Sequence, residues 1–568
     1  MAEAAELGEA TARSTIIYPA HLFCIFDDME YSKEAYDARI AALFECHQSV
    51  QSVGFTGDAY KPGLEAMLQL DAALGRPSEK FRSVHVAGTN GKGTVCSMLA
   101  AQLAASGMRV GLYTSPHLLD FRERIKIIGG RPAGDSASRH PLSASEPRTP
   151  SADSAPRTPS SDSATSTPSG PSFSMIPERE VWDFLESAEK LLEGRSFFEI
   201  TTALAFWWFA RQDLDIAVIE TGLGGRLDST NIITPELSII TGIGLDHCAI
   251  LGDTRAKIAA EKAGIFKPGV PAIVGEWDEE TAPVFEARAL EVHCPLFFVE
   301  TAPEGEPLGP PEDLGKRRAE GLTPGELSGP PEDLGKRRTE GLTPGWAELN
   351  HPTVKLALDL LGVEEDADAL RDYVKITGLR GRWETHVVGD AELIFDIGHN
   401  PPALEENFAR LEAERSADEM GDGFGPASVA SGDSIAPAPA KLPLTIVYGV
   451  MADKDLASIS HLMPADADYV LVAPATSRAM PAATLGEQLA SLRPDIFARA
   501  GGVKVVPDVA AGVRLALSGA ARDALSVASP DAFHGASRNF RRIIYIGGST
   551  FVVSEAIEHL EMTNKWEQ

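Results

Sequence analysis

Short apolar runs alternate with helical patterns along most of the chain, and this alternation predicts βαβ units built around mainly parallel sheets. In the first half, the predicted strands read SVHVAG, RVGLYTS, LDIAVIET and ELSIITGIG. In the second half, from about Gly378, they read ELIFDIG, LTIVYGV, DYVLVAP, VKVVPDV and RIIYIGG. The pattern predicts a larger α/β domain over residues 38–376 and a smaller one over 377–568, preceded by an N-terminal tail of residues 1–37.

Four stretches interrupt this alternation with few large apolar side chains. We expect disordered inserts at residues 131–174 and 301–345, and smaller polar inserts at residues 416–441 and 526–538. The first is rich in Ser and Pro and repeats PRTPS. The second holds a duplication, because GPPEDLGKRRAEGLTPG from Gly309 returns from Gly329 with one change. Such segments bury too little apolar surface to offset the conformational entropy that folding removes. A partner-binding motif remains the alternative for the duplicated segment.

The net charge is −31, from 51 Lys and Arg against 82 Asp and Glu, with no block of basic residues. This balance argues against nucleic acid and anionic membranes as partners, so an anionic ligand must be held by a local site. The five cysteines are scattered without zinc-site spacing, and we find no membrane-spanning run or secretory signal. We therefore expect a cytoplasmic protein with free thiols. We also expect its partners to be small molecules and the protein to be a monomer.

A glycine-rich turn follows the strand SVHVAG and leads into an amphipathic helix that closes at Gly107. The residues that would surround a phosphate there are Gly88, Thr89, Asn90, Gly91, Lys92, Gly93 and Thr94. Glycines let backbone N–H groups wrap an anion, and Lys92 adds a full positive charge. Gly93 occupies the place where the generic P-loop has Ser or Thr, so a hydroxyl for magnesium must come from elsewhere. The alternative is a plain βα turn.

Three further strand ends deliver polar side chains, namely Ser115, Glu220 and His247. The carboxyl ends of parallel strands meet at one edge of a sheet, which is where α/β proteins bind ligands. A hydroxyl, a carboxylate and an imidazole beside a phosphate loop suit Mg²⁺ or Mn²⁺. Taken singly, each residue has an ordinary structural interpretation, and it is their convergence that predicts a metal site.

Lys262 follows 15 residues after His247, on a predicted helix with Asp253 as its N-cap and Gly264 as its stop. A cation in the last turn complements the helix dipole. From the residues alone, this structural interpretation is the favoured one.

The second domain places charged loops at its own strand ends. Asp396 and His399 stand in the loop DIGHNP, between a strand and the helix ALEENFARLEAE. Arg380 and Arg382 lie in GLRGR, where the domains join. Those guanidiniums either bridge phosphates across a cleft or form interdomain salt bridges.

A series of motifs occurs in a definite order: HVAGTNGKGT, TSPHL with RERIKI, FFEITTALAF, ETGLGGRLDSTNI, LDHCAILGDT, EKAGIFKPGVPAIVG, GLRGRWE and FDIGHNPPA. This order resembles the folylpolyglutamate synthase/dihydrofolate synthase family of the Mur-ligase superfamily. The match covers about residues 40–300 and 346–568, apart from the inserts. It implies an α/β protein with an N-terminal P-loop Mur-ligase-like ATPase domain and a smaller Rossmann-like C-terminal domain.

The resemblance implies an ATP-dependent ligase that forms an amide bond. ATP would phosphorylate the carboxylate of pteroate or folate, and the amine of L-glutamate would attack the acyl phosphate. Lys92, Glu220, His247 and Lys262 would be catalytic. Lys262 would be carbamylated and would join Ser115, Glu220 and His247 in holding two Mg²⁺ ions, which reverses the helix-dipole interpretation.

The resemblance also implies nucleotide contacts outside the glycine loop. Arg382, Asp396 and His399 would reach ATP from the C-terminal domain. Thr353 would occupy the position at which the family supplies an Asn to the nucleotide, so that contact is a point of departure from the family pattern.

Three residues are candidates for contact with the pterin or folate: Phe198, Arg226 and Asp228. The motif GLGGRLDSTN resembles the corresponding motif of enzymes that accept dihydropteroate as well as folate. We therefore expect a bifunctional enzyme that joins L-glutamate to dihydropteroate or to reduced folates. A folylpolyglutamate synthase alone, a Mur-type amino-acid ligase and a non-catalytic nucleotide-binding scaffold are the alternatives. Phe198 also suits a helix core.

Overall fold

The structure is a computed structural model, and it describes residues 30–47, 63–129, 172–299, 346–416, 441–499, 502–518 and 541–563. Two sheets organise these residues, one of eight strands and one of six. Most of the predicted tail and nearly all of the four predicted inserts lie outside the described residues.

The first sheet has the strand order β4-β3-β2-β5-β1-β6-β7-β8. Its strands are β1 (Ser83–Ala87), β2 (Val110–Tyr113), β3 (Ile125–Ile128), β4 (Phe173–Met175), β5 (Ile216–Glu220), β6 (Leu237–Ile240), β7 (Ala272–Val274) and β8 (Leu296–Phe298). The pairs β2–β3 and β3–β4 are antiparallel, and the remaining pairs are parallel. Every residue of β1, β2, β5 and β6 is buried, as expected when helices cover both faces of a parallel sheet.

The second sheet has the order β13-β12-β11-β14-β10-β9. Its strands are β9 (Glu384–Val388), β10 (Ala391–Asp396), β11 (Leu444–Tyr448), β12 (Asp468–Leu471), β13 (Val503–Val505) and β14 (Arg542–Gly547). All its pairs are parallel except the edge hairpin β9–β10. The nine strands read from the sequence are all present, and the α/β prediction is confirmed.

Helices connect and cover the strands. In the first part they are α1 (Lys33–Cys46), α2 (Glu65–Ala73), α3 (Lys92–Ala105), α4 (Glu178–Ser187), α5 (Glu189–Leu192), α6 (Phe197–Phe209), α7 (Cys248–Leu251), α8 (Arg255–Ala263), α9 (Ala282–Val292), α10 (Trp346–Leu361) and α11 (Ala367–Thr377). In the second part they are α12 (Pro401–Ser416), α13 (Ala457–Ser460), α14 (Ala482–Leu492), α15 (Pro494–Phe497), α16 (Val509–Leu517) and α17 (Thr550–Met562). Short 3₁₀ turns cover Pro77–Glu79, Phe121–Arg124 and Ser229–Ile232.

Helix α3 is the centre of one core layer. Its side chains are buried almost throughout, because the sheet covers one side and α10 and α11 cover the other. On the opposite face of the sheet, α4 and α6 form a second core rich in aromatic side chains. The loop before α3 is therefore held between two packed layers, which fixes the position of the phosphate-loop candidate.

Three sequence-based boundaries differ from the structure. Helix α1 begins at Lys33, inside the predicted tail, because Ser32 accepts a hydrogen bond from the Ala35 N–H and caps it. Phe173 and Ser174 belong to β4 rather than to the first insert, because they pair with β3. The N-cap of α8 is Thr254 instead of Asp253, since the Thr254 side chain accepts from the Lys257 N–H.

Candidate active site

The predicted convergence of strand ends is confirmed by the order of the first sheet. Strands β2, β5, β1 and β6 are neighbours, and they end at Ser115, Glu220, the glycine loop and His247. These residues line one cavity of about 330 Å³ between the two sheets. Residues of the second sheet's loops line its other side, including Arg382, Asp396 and His399.

The glycine loop needs glycine at two positions because of close neighbours. A Cβ at Gly88, where φ is +154°, would lie 1.8 Å from Thr241 Oγ1. A Cβ at Gly91, where φ is +82°, would lie 2.5 Å from Asn350 Oδ1. Both backbone shapes are costly for other residues. Thr241 Oγ1 also donates to the Asn90 carbonyl at 2.5 Å, so the loop is fixed from both sides.

Two lysines meet at the carbonyl of Gly88. Lys92 Nζ donates to it at 3.0 Å, and Lys262 Nζ donates to it at 2.6 Å from helix α8. Lys262 is only 3% exposed, so it is not a surface cation at a helix end. Burial, reinforced by the charge of Lys92, lowers the pKa of Lys262 well below its ordinary value. The Lys262 amine is therefore biased toward its neutral, nucleophilic form.

Glu220 stands at the floor of the cavity and is 1% exposed. Its Oε2 accepts a hydrogen bond from the Ser115 N–H at 3.0 Å. Burial raises the pKa of Glu220, and the positive charge of Lys92 opposes that rise. The carboxylate is thus placed between the lysine of the loop and the hydroxyl-bearing end of β2.

The three candidate metal ligands line the same cavity, and their donor atoms are two oxygens and one imidazole nitrogen. Burial lowers the pKa of His247 to about 4, so its ring is neutral near pH 7 and keeps a lone pair for a cation. This donor set fits Mg²⁺ or Mn²⁺. Within the described ranges, no three His, Cys, Asp or Glu side chains gather into a metal-binding group.

Asp246 is a central residue that the sequence reading left out of the site. Its carboxylate accepts from Asn400 Nδ2 at 3.0 Å and lies 3.7 Å from Lys454 Nζ and 3.9 Å from His399 Nε2. Burial would raise the pKa of Asp246, but neighbouring His247, Lys454 and His399 hold it well below its usual range. The motif LDH could have pointed to Asp246. This acid directly precedes His247, so both residues follow the same strand and lie at the same edge of the sheet.

The C-terminal candidates differ in their surroundings. Arg382 lines the cavity, and within the described residues its guanidinium forms no hydrogen bond or ion pair. Asp396 also lines the cavity, but its carboxylate accepts from the Trp383 and Gly398 N–H groups and from Asn407 Nδ2. Arg380 pairs with Glu384 and Glu561. Of the two arginines in GLRGR, Arg382 lines the cavity and Arg380 is held in ion pairs, whereas the Asp396 carboxylate is bound to groups of its own domain.

Helix α10 corrects the expectation for Thr353. Thr353 is buried, and its Oγ1 lies 2.9 Å from where a Cβ of Gly275 would be, away from the cavity. Asn350, one turn earlier, lies against Gly91 of the glycine loop. Neither Thr353 nor Asn350 is among the residues that line the cavity, so the predicted nucleotide contact from this helix is not seen.

The three candidates for contact with the substrate also differ in where their side chains lie. Phe198 lines the cavity against Gly222, whose Cβ would lie 2.4 Å from its ring. Asp228 lines the cavity too, but its carboxylate accepts from the Leu223 and Thr230 N–H groups and orders that loop. Arg226 is directed away, because its guanidinium donates to Glu261 at 2.8 Å and its side chain is 55% exposed. Arg226 does not line the cavity, so the predicted contact between Arg226 and the substrate is not seen.

Arg124 is a cavity residue absent from the sequence-based site. It follows Glu123 in RERIKI, is 4% exposed, and donates from Nε to His117 Nδ1 at 2.7 Å. Its guanidinium also lies 5.3 Å from the ring centroid of Phe197. A buried arginine beside aromatic rings suits an anionic group on a flat ligand. In the sequence, Arg124 belongs to the motif RERIKI, which follows TSPHL.

The chain resembles curated proteins over most of its length. It is 40% identical over 390 residues to the dihydrofolate synthase/folylpolyglutamate synthase of Buchnera aphidicola subsp. Schizaphis graminum, covering 68% of this chain and 72% of that protein. It is 31% identical over 352 residues to the Escherichia coli protein of the same name, covering 62% and 68%. The chain belongs to the dihydrofolate synthase/folylpolyglutamate synthase family.

The family match is uneven in extent. The Bacillus subtilis dihydrofolate synthase/folylpolyglutamate synthase is 37% identical over 256 residues, which are 43% of this chain and 51% of that protein. The folylpolyglutamate synthase of Lacticaseibacillus casei is matched over 44% of its length. The chain thus spans about half the length of these two family members. No family model matches it.

Solved structures agree with the fold. A bifunctional folylpolyglutamate synthase/dihydrofolate synthase with Mn, AMPPNP and L-glutamate bound is 25% identical, with a TM-score of 0.60 over 93% of this chain and 98% of that one. FolC of E. coli in complex with DHPP and ADP is 24% identical, with a TM-score of 0.61 over the same shares. The predicted Mur-ligase-like two-domain fold is confirmed. None of the described helices is both long and apolar enough to span a bilayer.

Proposed function

We propose that this protein ligates L-glutamate to dihydropteroate and to reduced folates at the expense of ATP. The observation that carries the proposal is the cavity that joins the glycine loop, Glu220 and His247 to Arg382 of the second domain. Lys262 reaches this loop by donating to the Gly88 carbonyl. Family membership supports the reaction class, and the relatives named for both activities support bifunctionality. The alternative is folylpolyglutamate synthesis alone.

The proposed reaction has two steps. An acceptor carboxylate oxygen attacks the γ-phosphorus of ATP, the bond to the β-phosphate oxygen breaks, and ADP leaves. The glutamate amine then attacks the acyl carbon, phosphate leaves, and the amine gives up its proton. The glycine loop and Lys92 hold the phosphates in the first step, and Arg382 faces them from the other side.

Ser115, Glu220 and His247 would hold Mg²⁺, and we propose two ions at this site as in the family pattern. When bound, Mg²⁺ neutralises the phosphate charge and orients the transferring group. A solved relative holds Mn and AMPPNP, which supports the use of a divalent cation. We propose that Lys262 is carbamylated, and its lowered pKa supports this because carbamylation requires the neutral amine.

The acceptor would lie at the end of the cavity lined by Phe198, Leu223, Leu227 and Arg124. Aromatic and aliphatic side chains suit the flat pterin, and Arg124 supplies a positive charge for a carboxylate. A solved E. coli relative contains DHPP and ADP together, which supports an acceptor site beside the nucleotide.

We propose that the enzyme acts as a monomer in the cytoplasm. One chain supplies both sides of the cavity, so a second copy is not needed to complete it. The described cysteines, Cys46, Cys96, Cys248 and Cys294, are all free thiols, which suits a reducing compartment.

The proposed function is tested by measuring ADP release and product formation in parallel with dihydropteroate and with tetrahydrofolate, each with and without L-glutamate. We expect glutamate-dependent ligation with both acceptors. Activity with tetrahydrofolate alone would leave the folylpolyglutamate synthase alternative. No ligation with either acceptor would contradict the proposal.

The inserts are predicted to be dispensable for catalysis. We expect that replacing residues 132–171 or residues 301–345 with a short Gly/Ser linker leaves turnover within about twofold of the parent, because polar segments of this kind build no core. Phe173 must be kept, since its ring packs against Gly378 at the domain junction. Loss of ligation in a variant with unchanged melting temperature would reveal a functional element in that insert.

A further inference from the structure

Asn400 connects the two halves of the cavity. It lies in the loop between β10 and α12 and is 5% exposed. Its amide forms a reciprocal pair with Asn90 of the glycine loop: Asn400 Nδ2 donates to Asn90 Oδ1 at 3.0 Å, and Asn90 Nδ2 donates to Asn400 Oδ1 at 3.1 Å. The same Nδ2 donates to Asp246 Oδ2 at 3.0 Å. One side chain of the second domain thus binds two strand-end loops of the first.

We propose that Asn400 is a positioning residue that docks the C-terminal domain on the glycine loop, so that ligation depends on its amide bridge to Asn90 and Asp246. We call these three residues the amide latch. The inference rests on the proposed function and adds to it a residue that acts through its neighbours. It does not require Asn400 to touch the reacting atoms.

The chemistry of an amide suits this place. The latch needs a donor toward the Asp246 carboxylate and both a donor and an acceptor toward Asn90, and a primary amide supplies both. The contacts are buried, so an unmatched polar group there would cost more than a surface one. Aspartate would lack the donors and would face the Asp246 carboxylate, while serine would be too short to reach both partners.

Two basic side chains of the second domain also lie near Asp246 of the latch. His399 precedes Asn400 directly, and both His399 and Lys454 approach Asp246, at 3.9 Å and 3.7 Å. These distances are longer than hydrogen bonds, so the directional contact to Asp246 comes from Asn400. Losing it would loosen the second domain's side of the nucleotide site, including Arg382.

A structural alternative must be separated from this role. Asn400 Oδ1 also accepts from the Ala403 N–H at 3.1 Å and so caps helix α12. Serine and aspartate are good helix caps as well. Asn400→Ser and Asn400→Asp therefore keep the cap and remove the latch, whereas Asn400→Ala removes both.

The control is another hydrogen bond between the domains. Ser554 Oγ of helix α17 donates to the Leu118 carbonyl at 2.8 Å, away from the glycine loop. Ser554→Ala removes one such bond and leaves the latch intact. It reports how much any loss depends on the interface in general.

The experiment measures kcat, KM for the acceptor, affinity for Mg·AMPPNP by calorimetry, and melting temperature. For Asn400→Ser and Asn400→Asp we expect kcat to fall at least tenfold and AMPPNP affinity at least fivefold. The acceptor KM should stay close to wild type, the melting temperature should stay high enough for both variants to be folded at the assay temperature, and Ser554→Ala should keep kcat within twofold. Combining Asp246→Asn with Asn400→Asp restores a donor and an acceptor, so it should recover part of the kcat lost in Asn400→Asp.

Several results would overturn the latch: kcat within twofold of wild type in both cap-preserving variants, an equal loss in Ser554→Ala, or losses that follow the melting temperature. If Asn400→Asp does not fold, Asn400→Ser carries the test. If the wild type ligates glutamate to neither acceptor, the proposed function fails, and the AMPPNP affinities still decide on the latch.

Discussion

Glu220→Gln is expected to lower turnover by more than tenfold, which corresponds to about 1.4 kcal/mol or more of activation free energy. The change removes one negative charge from the cavity floor and keeps the shape of the side chain. The glutamine carbonyl can still accept the hydrogen bond from the Ser115 N–H, so the local fold should persist. The loss should appear as a higher requirement for Mg²⁺ together with a lower kcat.

The same variant should not lose stability. Burial raises the pKa of Glu220, which means that the folded state disfavours the ionised carboxylate near neutral pH. A neutral glutamine removes that cost, so the melting temperature should be equal to or above that of the wild type. Lower activity with preserved stability is the signature of a residue placed for chemistry.

Glu236→Gln is the matched control. Glu236 stands just before β6, near the opposite edge of the same sheet, where it pairs with Arg82. We expect nearly wild-type turnover and magnesium dependence from it. Unchanged magnesium dependence in Glu220→Gln would exclude Glu220 from the metal site.

Strand positions and the residues that end them could be predicted because each follows from a local apolar run. Glu220 ends a run of four buried residues, so its place at the edge of the sheet depends on nothing distant. The convergence with the glycine loop then follows from the rule that parallel strands share a carboxyl edge.

Contacts that depend on distant packing could not be predicted in this way. Arg226 was expected in the substrate site, but Gly264 of the segment after α8 lies beneath it and Glu261 attracts its guanidinium. A Cβ at Gly264 would lie 2.3 Å from the Arg226 Cβ. The partners of Arg226 are about 35 residues away in the chain, and no local pattern records them.

The latch illustrates the same limit. The glycine-loop motif predicts that Asn90 contacts ATP, and no local pattern pairs Asn90 with Asn400. The two lie 310 positions apart and belong to different sheets. Each polar residue needs a partner when buried, but the identity of that partner is a property of the folded chain.

Lys262→Ala is expected to nearly abolish formation of the acyl phosphate. A carbamate on Lys262 would turn a buried amine, which is biased toward its neutral form, into an anion beside Lys92, and alanine cannot carry it. A carbamate nitrogen keeps one N–H, so the hydrogen bond to the Gly88 carbonyl is compatible with the modification. The measurement is ADP release with acceptor present and glutamate absent or present.

Two further variants separate the carbamate from simpler roles. Lys257→Ala, on the exposed face of the same helix, should cost a few tenths of a kcal/mol of stability at most and leave turnover unchanged. Lys262→Gln keeps a donor for the Gly88 carbonyl but offers no amine to CO₂. If Lys262 only anchors the loop, glutamine should retain much of the activity.

Rescue gives the decisive comparison. Acetate or another short carboxylic acid can enter the space vacated in Lys262→Ala and supply the missing negative charge, so we expect partial recovery of acyl-phosphate formation that saturates with acid concentration. Lys262→Gln leaves no such space and should stay inactive with acetate. Full activity of Lys262→Ala without added acid, or high activity of Lys262→Gln, would contradict the carbamate and leave the ligase proposal resting on Lys92, Glu220 and His247.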